Sequence, residues 1–80
     1  MNNLGKFIKH KREQKQLTQK QLADGLGYPN AQFISLMENG HSKVPLDIAT
    51  RLCKVLSVKP KAMFVHFINE YKKEIEVYFR

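Results

Sequence analysis

Apolar residues recur at intervals of three and four along most of the chain, the spacing that places them on one face of an α-helix. No segment shows the alternation of apolar and polar residues that is typical of a half-buried strand. The pattern therefore predicts an all-α protein. Five helices are expected: Leu4–Gln14, Gln19–Leu26, Ala31–Asn39, a fourth entered at Pro45, and a fifth that begins with Pro60 in its first turn and runs nearly to Arg80.

Residues with strong positional preferences mark several helix ends. Thr18, followed three residues later by Gln21, predicts a capping box at the start of the second helix. Gly27 is expected to end that helix in a left-handed conformation, and Asn30 is a favourable N-cap for the third helix. Residues 18–40 thus hold two short helices joined by a tight break. Such a unit is either part of a helical core or a device that places one helix in DNA.

The charge is distributed unevenly. Fourteen Lys and Arg against seven Asp and Glu give a net charge of +7, and residues 1–20 contain six basic residues and one acidic residue. Residues 70–80 are balanced, with three of each sign. A basic excess favours a polyanionic partner such as nucleic acid, although it is also compatible with an ordinary soluble surface. A chain of 80 residues is expected to form one domain, with little room for an enzyme cleft beside its core.

Reactive side chains form no catalytic or metal-binding pattern in the sequence. Cys53 is the single cysteine, and its helical spacing from Ala49 and Leu56 favours a packed core thiol over a nucleophile. The three histidines lie far apart, so we expect no metal, no other cofactor and no enzyme activity. Signal-peptide and membrane-spanning patterns are absent from the sequence, which predicts a soluble, cytoplasmic protein.

Four segments carry a resemblance to a known family. The runs "LTQKQLADGLG", "ISLMENG" and "LSVKPKAMF", with the helix at Pro45 between the last two, resemble the Xre/Cro/CI helix-turn-helix DNA-binding domains typified by bacteriophage repressors. The resemblance covers Leu4 to Phe64 and implies a five-helix, lambda-repressor-like domain associated with the nucleoid. It also implies a structural salt bridge between Arg12 and Glu38. The turn "GYPNA" is one residue longer than the usual family form, which leaves the register of the third helix open.

The third helix is expected to read DNA. At about 100° per residue, Ile34 and Met37 face the core while Gln32 and Leu36 point away from it. Gln32 suits adenine, and Leu36 suits a thymine methyl group unless it is simply a lone surface leucine. Phe33 belongs either to the core or to the base-reading face. The expected base contacts are Asn30, Ala31, Gln32, Phe33 and Leu36.

Phosphate contacts are expected on both sides of that helix. Thr18 and Gln19 lie at a helix N-terminus, where free backbone donors and the helix dipole favour an anion, although an ordinary cap would look the same. Ser35 is too far round the helix to read bases but is able to reach a phosphate. The family resemblance adds Asn39, Ser42 and Lys43, and Lys43 has the clearest electrostatic case.

The last helix is longer than a small domain needs. Its apolar residues continue past the expected core, which predicts a patch that a second copy would bury, with Phe67, Tyr71, Ile75 and Tyr78 at the dimer interface. The sequence therefore predicts a transcriptional regulator that binds a near-palindromic double-stranded operator as a homodimer. The alternative is an antitoxin or other interaction module whose last helix binds a different protein. A membrane-surface helix is less favoured because the segment carries no net charge.

Overall fold

The computed structural model describes residues 3–79, which fold into five α-helices. Their bounds are α1 Asn3–Gln14, α2 Gln19–Leu26, α3 Gln32–Glu38, α4 Leu46–Val55 and α5 Pro60–Tyr78. The all-α prediction is confirmed, and the predicted limits of the second helix match residue for residue. Arg80, the predicted limit of the fifth helix, lies outside the described residues.

The third helix is shorter than the sequence predicted. It begins at Gln32 rather than Ala31 and ends at Glu38 rather than Asn39. Ala31, not Asn30, occupies the N-cap position and makes no side-chain cap bond. The prediction failed because Asn30 lies one residue further out, where its Oδ1 still accepts the Gln32 N–H at 2.9 Å. The capping side chain therefore lies one residue before the N-cap position and keeps its hydrogen bond.

The predicted ends of α2 are confirmed. Thr18 and Gln21 form the capping box: the Gln21 N–H donates to Thr18 Oγ1 at 3.0 Å and the Thr18 N–H donates to Gln21 Oε1 at 2.8 Å. Gly27 takes a left-handed conformation with φ of 82° and ends the helix. Because both ends are fixed locally, the following turn leaves α2 in a defined direction.

One core lies between the helices, and α1 packs against both α3 and α5. α2 packs against α3 and α4, and α4 packs against α5. The apolar side chains of this core come from all five helices and the connecting loops: Leu4, Ile8, Leu22, Ala23, Leu26, Ile34, Met37, Val44, Ile48, Ala49, Leu52, Leu56, Val58 and Met63. The predicted inward faces of α2 and α3 are thus confirmed.

Gly5 brings α1 against the C-terminal end of α3. A Cβ atom at this position would lie 2.5 Å from the Met37 carbonyl oxygen and 2.6 Å from that of Glu38. Any side chain here would collide with backbone, which cannot rotate away as a side chain can. Glycine thus permits the close approach that positions α3.

The far end of α5 leaves the domain. Only Met63 of its apolar residues is fully buried, while the neighbouring Phe64 is exposed because it lies one position round the helix. The molecule measures 41 × 24 × 20 Å. A helix of 19 residues is about 28 Å long, so its last turns extend past the core it helps to close.

Candidate nucleic-acid interface

α3 is held by two side chains and presents the opposite face to solvent. Ile34 and Met37 have no exposed surface, whereas Gln32 is exposed and Leu36 keeps 36% of its surface accessible. The side-chain amide of Gln32 has no hydrogen-bond partner within residues 3–79, so its donor and acceptor are both available. The outward face thus holds a polar group able to pair with a base edge next to an apolar side chain.

Phe33 takes part in both the core and the outward surface. It packs against the core as a half-buried residue, and its ring stacks on Tyr28 with centroids 4.8 Å apart. The same ring also lines a shallow surface depression of about 190 Å³. That depression is bounded by Tyr28, Pro29, Asn30, Gln32, Phe33 and Leu36. Of the five expected base-contacting residues, four therefore surround one depression, and Ala31 lies beside it at the helix start.

The N-terminus of α2 leaves two backbone donors without an acceptor within residues 3–79. The capping box occupies the N–H groups of Thr18 and Gln21. Between them, the N–H groups of Gln19 and Lys20 have no acceptor within the described part of the chain. The Gln19 side chain points inward instead, where its Nε2 donates to Glu38 Oε1 at 3.0 Å. An anion at this site would therefore meet the main chain of Gln19 rather than its amide.

A buried ion pair joins the three helices around the site. Arg12 Nε donates to Glu38 Oε2 at 2.7 Å and its second nitrogen donates to Glu38 Oε1 at 3.1 Å, which confirms the salt bridge implied by the resemblance. Arg12 also donates to the Leu17 carbonyl oxygen at 2.7 Å. The hydrogen bond to Glu38 raises the pKa of Arg12, against the opposing effect of burial. Together with the Gln19 bond to the same carboxylate, this pair ties α1, α2 and α3 at Glu38, and the Arg12 guanidinium also holds the α1–α2 connection.

The predicted phosphate contacts after α3 are engaged within the chain. Asn39 Nδ2 donates to Ser35 Oγ at 3.3 Å, and Ser42 Oγ makes a long contact with the Lys43 carbonyl oxygen at 3.5 Å. Lys43 forms an ion pair with Glu74, and its Nζ lies 5.3 Å from the centroid of the Tyr71 ring. Lys43, which has the strongest electrostatic case for a phosphate contact, is therefore already paired with a carboxylate.

α5 holds the α3–α4 loop in place. The Tyr71 hydroxyl donates to the Val44 carbonyl oxygen at 3.2 Å, and its ring packs beside that of Phe67 with centroids 4.7 Å apart. Burial, followed by the charge of Glu70, raises the pKa of Tyr71. Sequence reasoning missed this connection because residues 44 and 71 are 27 positions apart and no local pattern links them.

The four expected dimer residues fall into two groups. Phe67 and Tyr71 are half-buried against their own domain, whereas Ile75 is exposed and Tyr78 keeps 85% of its surface accessible. Sequence reasoning missed the exposed Val77 and Phe79, although both lie in the same apolar tail.

A groove of about 290 Å³ lies between α4 and α5, where Cys53, Phe64 and Phe67 are among its lining residues. Cys53 is half-buried, and burial raises the pKa of its thiol. The predicted core thiol is therefore only partly enclosed. Leu46, at the start of α4, is exposed because it lies off the buried apolar face of that helix. An apolar residue at such a position is a signal in the sequence that could have indicated this groove.

The described residues contain no group of His, Cys, Asp or Glu side chains able to hold a metal ion. Among the helices of residues 3–79, none combines the length and the apolarity that crossing a bilayer requires.

Comparison with known proteins agrees with this geometry. A helix-turn-helix family model matches residues 8–62, which include α2, the turn, α3 and α4. No curated protein and no solved structure gives a significant match. The match spans well over half of the chain, and the matched segment contains the buried ion pair and the outward face of α3. The chain therefore belongs to the Xre/Cro/CI-like helix-turn-helix family of DNA-binding regulators.

Proposed function

We propose that this protein binds a specific double-stranded operator of near-palindromic sequence as a homodimer and thereby regulates transcription at the nucleoid. The observation that carries the proposal is the division of α3 into two faces. Ile34 and Met37 fix the helix on the core, and Gln32 and Leu36 remain free on the opposite side. A helix presented in this way fits the major groove, which is about 12 Å wide.

Base readout is assigned to the start of α3 and its outward face. Gln32 pairs with adenine through N6 and N7, since its amide is free to donate and accept together. Leu36 and Phe33 supply apolar contact, and Asn30 and Ala31 lie at the N-terminal end that reaches base edges in this docking mode. The Asn30 side chain accepts a hydrogen bond from the Gln32 N–H, so it positions Gln32 as well as approaching the DNA.

Phosphate contacts flank this helix. The free N–H groups of Gln19 and Lys20 receive one phosphate, with Thr18 as the capping residue. On the other side, Ser35, Asn39, Ser42 and Lys43 approach the opposite strand. Lys43 must exchange Glu74 for a phosphate, so its contribution to affinity is smaller than that of an unpaired lysine.

Dimerisation through α5 supplies the second half-site. Ile75, Tyr78 and Phe79 expose apolar surface where the helix extends past its own core. Phe67 and Tyr71 form the base of this surface, and the groove between α4 and α5 continues it. A twofold pair would place two copies of α3 about 34 Å apart, in successive major grooves.

The same apolar tail favours a second candidate function. A different protein is able to cover Ile75 and Tyr78 as well as a second copy does, which is the arrangement expected of an antitoxin or other interaction module. The two candidates differ in solution mass, since a homodimer satisfies the tail without any partner. Sedimentation equilibrium of the pure protein tests this: a stable dimer supports the homodimer, and a monomer at micromolar concentration supports the interaction module.

Selection of bound duplexes from a random double-stranded DNA pool tests the operator. The selection is run at near-physiological salt, where non-specific binding is weak. Enrichment of an inverted repeat with half-sites one helical turn apart is expected. Enrichment of no sequence, with only salt-sensitive general binding remaining, contradicts the proposal. Gln32→Ala and Lys43→Ala then form a matched pair: the first should cost about 1–3 kcal/mol on the operator alone, and the second should weaken all DNA alike.

A further inference from the structure

The depression beside α3 has a composition that separates it from the rest of the DNA-facing surface. Tyr28 and Phe33 form one wall, with ring planes inclined by only 27°, and Leu36 and Pro29 continue the apolar lining. Burial raises the pKa of Tyr28, with a further contribution from Asp47, so its hydroxyl stays protonated and the wall stays uncharged at neutral pH.

Two of the six residues that line the depression, Asn30 and Gln32, carry a side-chain amide. Gln32 carries the free amide, and Asn30 is held in place by its bond to the Gln32 N–H. The apolar lining thus lies directly beside the Gln32 amide, which is expected to pair with a base.

Only one group on the major-groove edge of the base pairs is apolar enough to pack against this lining. Adenine, guanine and cytosine present donors and acceptors there, whereas thymine adds a C5-methyl group that is apolar. We infer that the depression formed by Tyr28, Pro29, Phe33 and Leu36 is a subsite for the C5-methyl group of a pyrimidine next to the base contacted by Gln32. This inference rests on the proposed function, because it requires α3 to enter the major groove.

The turn that precedes α3 builds this subsite. Tyr28 and Pro29 belong to the residues between α2 and α3, and they lie against the outward edge of the helix. The depression therefore depends on the length of the turn, and not only on the residues of the reading helix. Specificity for the methyl group would then be set jointly by the turn and by α3.

The size of the effect follows from one buried methyl group. Burial of a methyl or methylene group changes an equilibrium constant by about fourfold. Two symmetric half-sites would bring the effect on dimer binding to about 15-fold. Thymine and 5-methylcytosine both supply the C5-methyl group, and their different pairing edges allow the two sources to be distinguished.

The test replaces each thymine of the enriched operator by deoxyuridine, symmetrically in both half-sites, which removes only the methyl group. Fluorescence anisotropy at fixed salt then gives the dissociation constant of each duplex. One thymine per half-site is expected to show a loss of about 15-fold, and the others little change. At that position, 5-methylcytosine should bind more tightly than cytosine, because the two differ only by the C5-methyl group. Equal binding of these two would overturn the inference, since the subsite would then not recognise the methyl group of a pyrimidine.

Two variants connect the effect to the depression. Leu36→Ala should reduce the difference between thymine and uracil at the sensitive position, because it removes part of the apolar lining. Val65→Ala shortens an exposed apolar residue on α5 and should leave that difference unchanged. The ratio of two affinities is measured for each variant, so a general change in binding does not affect the result.

Uniform tolerance of deoxyuridine on an operator that is bound specifically would overturn the inference and leave the proposed function intact. A methyl effect that persists undiminished in Leu36→Ala would overturn it as well, because the methyl group would then be recognised elsewhere. The absence of any enriched operator would overturn the proposed function and this inference with it.

Discussion

The substitution Glu38→Gln should destabilise the fold more than any other single change of charge in the described part of the chain. Glu38 accepts two hydrogen bonds from Arg12 and one from Gln19, and its side chain is only 1% exposed. Glutamine has nearly the same shape, but one of its acceptors becomes an N–H₂ group that faces the guanidinium. Arg12 would remain charged and 10% exposed, without a carboxylate.

The magnitude follows from the cost of leaving a buried charge unpaired. Removing one partner of a buried ion pair costs about 3–5 kcal/mol. An 80-residue chain at about 0.05–0.15 kcal/mol per residue has a total stability of about 4–12 kcal/mol, so the loss is a large fraction of it. Asp24→Asn is the matched control, since its pair with Lys20 is 58% exposed on both sides and is worth less than about 1 kcal/mol.

Urea unfolding followed by circular dichroism at neutral pH measures both variants. A loss for Glu38→Gln no larger than that for Asp24→Asn would refute the reasoning, since it would show that the buried carboxylate contributes no more than a surface one. The double replacement Arg12→Met with Glu38→Leu adds a second criterion. It should recover most of the lost stability, because it removes both buried charges and leaves apolar groups of similar volume.

Three further outcomes are expected. Gly5→Ala should lower the free energy of unfolding by about 1–3 kcal/mol because its Cβ meets backbone oxygens. Gly25→Ala should cost less, because its Cβ meets only the two Val55 methyl groups, at 3.3 and 3.6 Å; equal urea midpoints would contradict this. Glu74→Gln should tighten binding to all DNA and steepen its salt dependence by about one charge, and Glu76→Gln, with the same charge change, should do less. Burial raises the pKa of Cys53, so its reaction with a disulfide reagent at pH 8 should be slower than that of free cysteine and should accelerate as the pH rises; a rate equal to that of free cysteine would count against partial enclosure.

The fold was predictable because its determinants are local. Thr18 and Gln21 form a cap across one helical turn, Gly27 is suited to a left-handed position, and the spacing of Ile34 and Met37 places both on one face. Each of these signals lies within a few residues of the structure it specifies. Helix positions and the inward face of α3 could therefore be inferred from the order of residues alone.

Other features depend on residues that are distant in sequence. The contacts of Lys43 with Glu74 and Tyr71 join the loop after α3 to a helix about 30 residues later, and no periodicity in the sequence encodes them. The inward turn of the Gln19 side chain has the same origin, since it is drawn to Glu38 across the domain. For both residues, the sequence indicated a phosphate contact but not the partner already present in the folded chain.

The seven residues of α3 have a thermodynamic consequence. An isolated helix shorter than about 12–15 residues is marginal in water, and α3 also lacks a side-chain bond at its N-cap residue. Its helical form is therefore maintained by tertiary contacts, and no separately folded fragment would retain it. The outward face of α3, the proposed DNA-reading surface, should disappear over the same narrow temperature range in which the whole domain melts. The fraction of DNA bound would then fall with temperature as steeply as the folded fraction does. Bound DNA would in turn raise the melting temperature, because it binds only the folded state.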